Sequence, residues 1–270
     1  MVNGERAESV FERIGGSAKR SRRMADVLDM IAERGEVELA ELAEHFSTSS
    51  ATMRRDLAAM ADHGLILRTH GGAKVASSLT ERPVALKDTR FREAKRRIAR
   101  AAAARVPRER YAVALSGGTT AAGVARELAG HSSLTIVTNS LPIANLVSRY
   151  PKLKIIMTGG ILRAQSLELV GVLAEDTFNS LNIGMAILGA DGFSAASGLT
   201  TYDETEARAN RAMVMHAKTT VVVADSSKIG NVALARIATA PEVDVLITDG
   251  DADPAELQRL RDAGVIVVIA

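Results

Sequence analysis

The chain of 270 residues contains no cysteine, which excludes disulfide bonds, thiolate-ligated zinc and cysteine nucleophiles. Tryptophan is also absent, and the aromatic side chains are limited to three tyrosines and five phenylalanines. So few rings argue against stacking on unpaired nucleic-acid bases as a main mode of binding. The five histidines are scattered without the H-x-x-x-H spacing of a metal pair, so we expect no metal site.

Long apolar runs are missing as well. No stretch approaches 18 uninterrupted apolar residues, and residues 1–20 lack the apolar central segment of a signal peptide. We therefore expect a cytoplasmic protein. Its length, together with a 47% content of hydrophobic residues, suits two folded domains.

The net charge of +2 conceals an asymmetry along the chain. Residues 1–110 carry 22 lysines and arginines against 16 acidic residues, a balance of +6, whereas the remaining 160 residues carry 12 against 16, a balance of −4. A basic N-terminal part joined to a mildly acidic remainder is typical of a nucleic-acid-binding domain fused to a domain with another role.

Residues 49–72 have the pattern of a DNA-reading helix followed by a short β-wing. Ser49 is a favoured N-cap residue, and Gly64 is expected to end the helix. Apolar residues recur with helical spacing from Met53 to Met60, which predicts one buried stripe, while the opposite face is small and basic. Such a face suits a helix whose first turn enters a major groove. The residues predicted to bind DNA are Ser50, Thr52, Arg54, Arg55, Arg68 and His70.

Five of these six side chains have an expected partner on the duplex. Arg54 and Arg55 suit phosphates or guanine edges, whereas Thr52 suits a phosphate or a thymine methyl group. Arg68 and His70 are expected on the DNA backbone beside the wing.

The flanking segments complete a winged helix-turn-helix over residues 21–76. One helix is predicted from Arg23 to Gly35, and a second, shorter one includes residues 39–46. Residues 1–20 are predicted to be a flexible arm, whose basic run into Arg23 is either solvated or in contact with phosphate. Residues 77–108 are predicted to be a linker and a connecting helix, whose basic face is open to the same two interpretations.

From residue 109 to residue 270 short apolar runs alternate with helical patterns, which predicts a Rossmann-like α/β domain with a mostly parallel sheet. The predicted strands are 111–115, 134–137, 153–157, 184–188, 219–223, 243–247 and 265–269, and the predicted helices are 119–129, 141–149, 203–217 and 254–262.

Six of these strands are followed by polar, mostly glycine-rich clusters, and the carboxyl ends of parallel strands share one edge of a sheet. The first cluster opens a helix, so its backbone N–H groups and hydroxyls are suited to cradle a phosphate. It matches neither the P-loop pattern nor G-x-G-x-x-G, so no nucleotide cofactor is indicated, and a small phosphorylated polyol fits better. Each cluster by itself is also compatible with a simple turn. The predicted binding residues are Ser116, Gly117, Gly118, Thr119, Thr120, Thr138, Asn139, Asp191, Glu206 and Lys228.

The acidic and basic members of this set have separate expected roles. Lys228 adds a point charge for an anion, while Asp191 and Glu206 accept hydrogen bonds from sugar hydroxyls. Asp203 is expected to cap the helix that follows it.

Taken together, several motifs resemble the DeoR-type bacterial transcriptional regulators. They are the segments 49–57 (SSATMRRDL), 68–73 (RTHGGA), 138–140 (TNS), 189–192 (GADG) and 224–228 (ADSSK). The resemblance implies a winged helix that binds an operator, usually to repress sugar-utilisation genes, and a C-terminal sensor for a phosphorylated sugar that is similar in fold to ribose-5-phosphate isomerase. Two positions depart from the family pattern: Ser116 replaces the usual Asp, and Met53 replaces the commoner Ile.

By position, the resemblance places Thr119 and Thr120 in the phosphate loop. It places Asp191 and Glu206 on the sugar side, and Lys228 near the phosphate or a hydroxyl.

Two functions remain open from the sequence. The favoured one is a DNA-binding repressor that releases its operator when a sugar phosphate binds, acting as a homo-oligomer (a dimer or a tetramer) because one short helix reads too few bases. Activation instead of repression is equally compatible with the sequence. The alternative is a sugar-phosphate isomerase or hydrolase with Asp191 or Glu206 as base and Lys228 as electrophile.

Overall fold

The structure, a computed structural model, describes residues 17–62, 65–75 and 91–270. The chain divides into two compact units, Met1–Thr89 and Arg90–Ala270. Residues 1–16 of the predicted arm, the predicted helix end at Gly64 and residues 77–90 of the predicted linker lie outside the described residues.

Within residues 17–62 and 65–75, the N-terminal unit contains three helices and a small antiparallel sheet. Its elements are α1 (Ala18–Arg34), β1 (Glu36–Glu38), α2 (Leu39–His45), α3 (Ser50–Asp62), β2 (Ile66–Arg68) and β3 (Gly72–Val75), and the strand order of the sheet is β1-β3-β2. Apolar side chains from all three helices and from the sheet share one core, which includes Met24, Leu42 and Met53. The predicted winged helix-turn-helix is confirmed, with β2 and β3 forming the wing.

Helix α1 begins earlier than predicted. It begins at Ala18 instead of Arg23, because Ser17 has the extended backbone of an N-cap and its Oγ accepts the N–H of Arg20 at 3.4 Å. The end of the predicted arm is therefore helical.

The C-terminal unit is built on the predicted parallel sheet, which has seven strands. They are β4 (Tyr111–Leu115), β5 (Leu134–Thr138), β6 (Lys154–Met157), β9 (Met185–Leu188), β12 (Thr220–Val223), β14 (Val245–Thr248) and β15 (Ile266–Ile269), in the order β15-β14-β12-β9-β4-β5-β6. Successive residues of one strand enter two different apolar clusters, as with Val113 and Ala114, because both faces of the sheet are covered. This burial is why the strands are continuous apolar runs in the sequence.

Six helices accompany the sheet within the described part of this unit. They are α4 (Arg92–Ala103), α5 (Thr119–Glu127), α6 (Leu141–Val147), α7 (Val172–Asn179), α8 (Glu204–Met215) and α9 (Pro254–Asp262). Asp203 is the N-cap of α8, as predicted, since its carboxylate accepts the N–H groups of Thr205 and Glu206 at 3.0 and 2.9 Å.

The structure adds elements that the sequence does not predict. A hairpin joins β7 (Ile161–Arg163) to β8 (Glu168–Val170), and a second small sheet contains β10 (Gly192–Ser194), β11 (Gly198–Thr201) and β13 (Ala235–Ala238). Helix α7 is also new. These elements are short, and α7 buries only Ala174 and Phe178, so the sequence shows no sustained periodicity.

Helix α4 belongs to the C-terminal unit and is not a free connecting helix. Its residues Ile98, Ala99 and Ala102 are buried in the core cluster that also contains residues of β4 and α5. Its basic face is exposed, with Arg96 close to Glu93 and Arg100 close to Glu127, as expected for a solvated surface.

Candidate functional site

The recognition helix α3 has the two faces that the sequence predicts. Met53, Leu57 and Met60 are buried, whereas Arg54 and Arg55 are exposed. At the start of the helix the Ser49 Oγ accepts the N–H of Thr52 at 3.2 Å and also bonds the hydroxyl of Thr52 at 2.9 Å. The first turn is therefore capped, and the hydroxyl of Thr52 is partly engaged within the protein.

A cleft of about 310 Å³ lies between the helices and the wing of the N-terminal unit. Four of the six predicted DNA-binding residues line it: Ser50, Arg54, Arg68 and His70. Thr52 and Arg55 do not line this cleft. The structure thus brings Arg54 of α3 to one surface with Arg68 and His70 of the wing, in the arrangement that suits a DNA backbone beside a major groove.

Asp56 is a residue of this helix to which the sequence analysis gives no role. Its side chain is 1% exposed, and its two oxygens accept bonds from Arg20 and Arg23 of α1 at 2.7 and 2.8 Å. Part of the basic run at the start of α1 thus holds the recognition helix, because the two guanidinium groups compensate the buried carboxylate. A signal existed, since Asp56 lies three residues after Met53 and four before Met60, on the buried stripe.

In the C-terminal unit the polar clusters lie at the carboxyl edge of the sheet. The chain runs from β4 outward through β5 to β6, and the later strands lie on the other side of β4, starting with β9. The switch point between β4 and β9 is the place where open parallel sheets bind ligands. The loop 116–120 and the segment 189–191 meet there, since the N–H of Gly189 donates to the Ser116 Oγ at 3.0 Å.

Two of the predicted binding residues hold this edge together. The Ser116 hydroxyl accepts the N–H of Gly189, and the Thr138 hydroxyl donates to the carbonyl of Leu115 at 2.7 Å while accepting the N–H of Ser140 at 3.0 Å. Both side chains are buried. Their polar groups are therefore occupied within the protein, which favours a role in shaping the site over a direct contact with a ligand.

The loop leads directly into α5. Gly118 is the residue before the helix and has a φ of 99°, a conformation that favours glycine. Thr119 and Thr120 form the first turn, whose N–H groups have no acceptor within the helix. This turn is therefore the part of the predicted cradle that is suited to an anion.

Glu168 of β8 packs its side chain against the loop 116–120. No sequence signal pointed to this residue. Its carboxylate accepts the N–H of Gly117 and, at 2.9 Å, the Nδ2 of Asn139. A Cβ atom at Gly117 would clash with the Glu168 side chain as it lies here, so a larger residue would force that side chain to move. The Oδ1 of Asn139 is buried and has no hydrogen-bond partner within the described part of the chain, which leaves an acceptor inside this group.

The remaining predicted acids form a network beside Glu168. The Thr201 hydroxyl lies 2.7 Å from Glu206 and 3.2 Å from Asp191, and Arg163 of β7 contacts Glu206 at 3.3 Å and Asp203 at 3.0 Å. Arg163 and Thr201 are two further residues that the sequence analysis does not name.

Lys228 lies in a short 3₁₀ turn, Ser226–Lys228, after β12. The next residue, Ile229, pairs with Phe193 of β10, the strand that follows Asp191. The turn therefore lies at the same end of the sheet as the acids.

Electrostatics distinguish Glu168 from its neighbours. Burial and then the charge of Glu206 raise the pKa of the Glu168 carboxyl well above its ordinary value, with a smaller contribution from Asp191. The hydrogen bonds from Asn139 and Gly117 act in the opposite direction but do not offset the burial.

This raised pKa predicts a pH-dependent effect of Glu168→Gln on stability. The folded state holds the proton of Glu168 more tightly than the unfolded chain, so this stabilisation is complete below the unfolded pKa and is lost as the pH rises through the folded pKa. We expect the melting temperature of E168Q, relative to the wild type, to increase from pH 5 to pH 8. Thermal unfolding at both pH values measures this, and a difference that stays constant or falls would contradict it.

Among residues 17–62, 65–75 and 91–270, no group of three histidine or acidic side chains has a geometry that could hold a metal ion. In the same ranges no helix is long and apolar enough to cross a membrane.

Comparison with known proteins assigns both units. Residues 23–79 match the family model of the DeoR-like helix-turn-helix domain, and residues 90–250 match that of the DeoR C terminal sensor domain. A DNA-binding winged helix joined to a sensor domain defines a transcriptional regulator. The chain belongs to the DeoR family of these regulators.

Curated relatives extend over nearly the whole chain. The glycerol-3-phosphate regulon repressor of Escherichia coli K12 is 34% identical over 90% of this chain and 96% of its own length. The HTH-type transcriptional regulator GlpR of Haloferax volcanii is 35% identical over 93% of this chain and 97% of its own.

Among solved structures, ribose 5-phosphate isomerase A from Methanocaldococcus jannaschii aligns with 51% of this chain and 54% of its own, at 18% identity and a TM-score of 0.39. A TM-score this low does not establish a common fold, so the likeness to the isomerase fold stays a prediction.

Proposed function

We propose that this regulator represses carbohydrate-utilisation genes and releases its operator when a small phosphorylated polyol or sugar binds the C-terminal unit. The observation that carries the proposal is the placement of the loop 116–120, with the first turn of α5, at the switch point between β4 and β9. A relative of similar length is named for the glycerol-3-phosphate regulon, which supports a phosphorylated effector.

The proposed site has an anionic end and a hydroxyl end. The first-turn N–H groups of Thr119 and Thr120 would receive the phosphate. Asp191, Glu206 and the Oδ1 of Asn139 are acceptors, so they suit hydroxyl groups of the same ligand. A phosphorylated polyol satisfies both ends, whereas inorganic phosphate satisfies only the first.

We also propose that the site binds its ligand without converting it. Glu206 is engaged by Arg163 and by the Thr201 hydroxyl, so its carboxylate is held in a network and not presented as a free base. Incubation of the purified protein with ribose 5-phosphate tests this point, since isomerisation above the buffer rate would favour the enzyme interpretation.

A homo-oligomer and a cytoplasmic location complete the proposal. One recognition helix reads a few base pairs only, so two or more copies are needed for a useful operator length. A regulator of genes also has to share the compartment of the DNA that it binds.

Thr119→Val tests the proposed phosphate loop. We expect it to abolish effector-induced release of DNA and to leave DNA binding unchanged, because it removes a hydroxyl from the first turn of α5 and lies outside the winged helix. The measurement is a gel shift on a duplex selected from random sequence, with and without sn-glycerol 3-phosphate and other sugar phosphates identified by a thermal-shift screen. An effector at 100 times its Kd stabilises the folded state by about 2.7 kcal/mol, which such a screen detects.

Thr135→Val is the matched control, because Thr135 lies near the start of β5 and away from the carboxyl edge. Release by this variant should match the wild type. If the Thr119 variant still released DNA normally when the effector is added, the phosphate of the effector would have to bind elsewhere.

A further inference from the structure

The Glu168 carboxyl group occupies part of the loop that the proposed function assigns to phosphate. It accepts the N–H of Gly117, and its side chain covers the Cα of that residue so closely that an added Cβ atom would displace it. The carboxylate of Glu168 and the phosphate of an effector are both anionic acceptors. They therefore have the same chemical requirement for the N–H groups of this loop.

The surroundings of Glu168 hold its backbone in place while offering its charge little compensation. The N–H of Leu169 donates to the carbonyl of Asn139 at 2.7 Å, and that of Leu141 donates to the carbonyl of Leu167 at 3.0 Å. The side chain is 3% exposed. A movement of Glu168 on ligand binding is thus expected in its side chain more than in the hairpin.

The charged groups that bear on Glu168 come from three other elements. Glu206 of α8 and Asp191 after β9 disfavour its ionised form. Arg163 of β7 is its partner in the register of the hairpin, but the guanidinium contacts Glu206 and Asp203. A phosphate dianion placed on the loop would add further negative charge beside an ionised Glu168.

We propose that Glu168 is an intramolecular competitor of the effector's phosphate: its carboxylate holds the Gly117 N–H and has to release it, or take up a proton, when an anion binds at the start of α5. This inference rests on the proposed function of the loop 116–120. It identifies Glu168 as the residue that determines how much effector is needed for the response, and it makes anion affinity fall as the pH rises.

Sulfate is the probe that tests this competition, because it is a tetrahedral dianion that stays fully ionised across the pH range used. The full-length wild type and the variants Glu168→Gln, Glu175→Gln and Thr119→Val are titrated with sulfate at constant ionic strength by calorimetry, at pH 5.5 and pH 8. The Glu168→Gln substitution keeps the size of the side chain and removes its charge. The Glu175 variant removes one charge from α7, where Glu175 pairs with Arg208 of α8.

We expect E168Q to bind sulfate about tenfold more tightly than the wild type and E175Q at pH 8, because a hydrogen bond to a charged acceptor is about twice as strong as one to a neutral acceptor. At pH 5.5 the wild type should approach the affinity of E168Q, whose own affinity should change little with pH. If T119V loses sulfate binding but E168Q binds sulfate no more tightly than the wild type at pH 8, the competition by Glu168 is overturned while the proposed phosphate loop stands. Sulfate binding that is absent, or unaffected by T119V, would overturn the proposed phosphate loop as well.

Discussion

Asp56→Ala is expected to lower the free energy of unfolding of the N-terminal unit by about 3 kcal/mol. Asp56 is buried and holds Arg20 and Arg23 of α1, so its removal takes away the buried carboxylate that both guanidinium groups bind. The value lies at the lower end of the range for broken buried pairs, because the side chains of Arg20 and Arg23 are 31% and 18% exposed and keep some access to water.

Urea unfolding of the full chain measures this effect. Far-UV circular dichroism follows the helices of both units, whereas all three tyrosines lie in the C-terminal unit and report on that unit alone. We expect the circular dichroism signal to show an earlier transition while tyrosine fluorescence is unchanged.

Glu41→Gln is the control for this experiment, because it also removes an ion pair between helices of the same unit. The Arg34–Glu41 pair is about half exposed on both sides, so its loss should cost no more than about 1 kcal/mol. Equal midpoints for the two variants would show that burial gives the Asp56 pair no special weight.

Arg55→Ala should weaken operator binding by about 1–3 kcal/mol if Arg55 makes a bidentate contact with a base edge. Arg55 is exposed on the face of α3 opposite the buried stripe, where the first turns of a recognition helix reach the major groove. Gel-shift titration on a duplex selected from random sequence gives the affinity. The same titration on duplexes with single base changes shows whether specificity is relaxed at one position, as direct base readout requires.

Arg96→Ala is the matched control for a basic surface that is not part of the winged helix. Arg96 lies on the exposed face of α4 beside Glu93, and we expect its replacement to leave the affinity unchanged. Unchanged affinity of the Arg55 variant would remove Arg55 from the interface, and a loss with Arg96→Ala would add the basic face of α4 to it.

Elements that contain a sustained run or period of apolar residues could be predicted well from the sequence. The seven parallel strands lie within a few residues of the predicted runs. The five inner strands are largely buried, and strands buried on both faces need apolar residues at every position; the edge strands β6 and β15 are more exposed but still contain apolar runs. The predicted start of α1 at Arg23 was wrong, because the first turn of the helix, from Ala18, is polar and is stabilised by a cap at Ser17 instead of by packing. The β7–β8 hairpin was missed because Ile161 and Leu162 are exposed, which removes the alternation that marks a strand.

In the candidate site, too, some features could be predicted from the sequence and others could not. Thr119, Asp191 and Glu206 could be located because each follows a recognisable strand or starts a helix. Ser116 and Thr138 look the same in the sequence, yet their hydroxyls are used inside the protein, which depends on the neighbouring strand that each one meets. Hydrogen-bond partners across the sheet leave no local pattern.

The sequence by itself determined the winged helix, the parallel sheet and the edge at which polar residues gather, because burial imposes a period that can be read locally. Only the tertiary structure decided that Asp56 pairs with Arg20 and Arg23, and that Glu168 lies on Gly117 and Asn139. The physical reason is the same in both cases. Local periodicity specifies which face of an element is buried, whereas the partner of a buried charge comes from a distant segment and is chosen by how the elements pack.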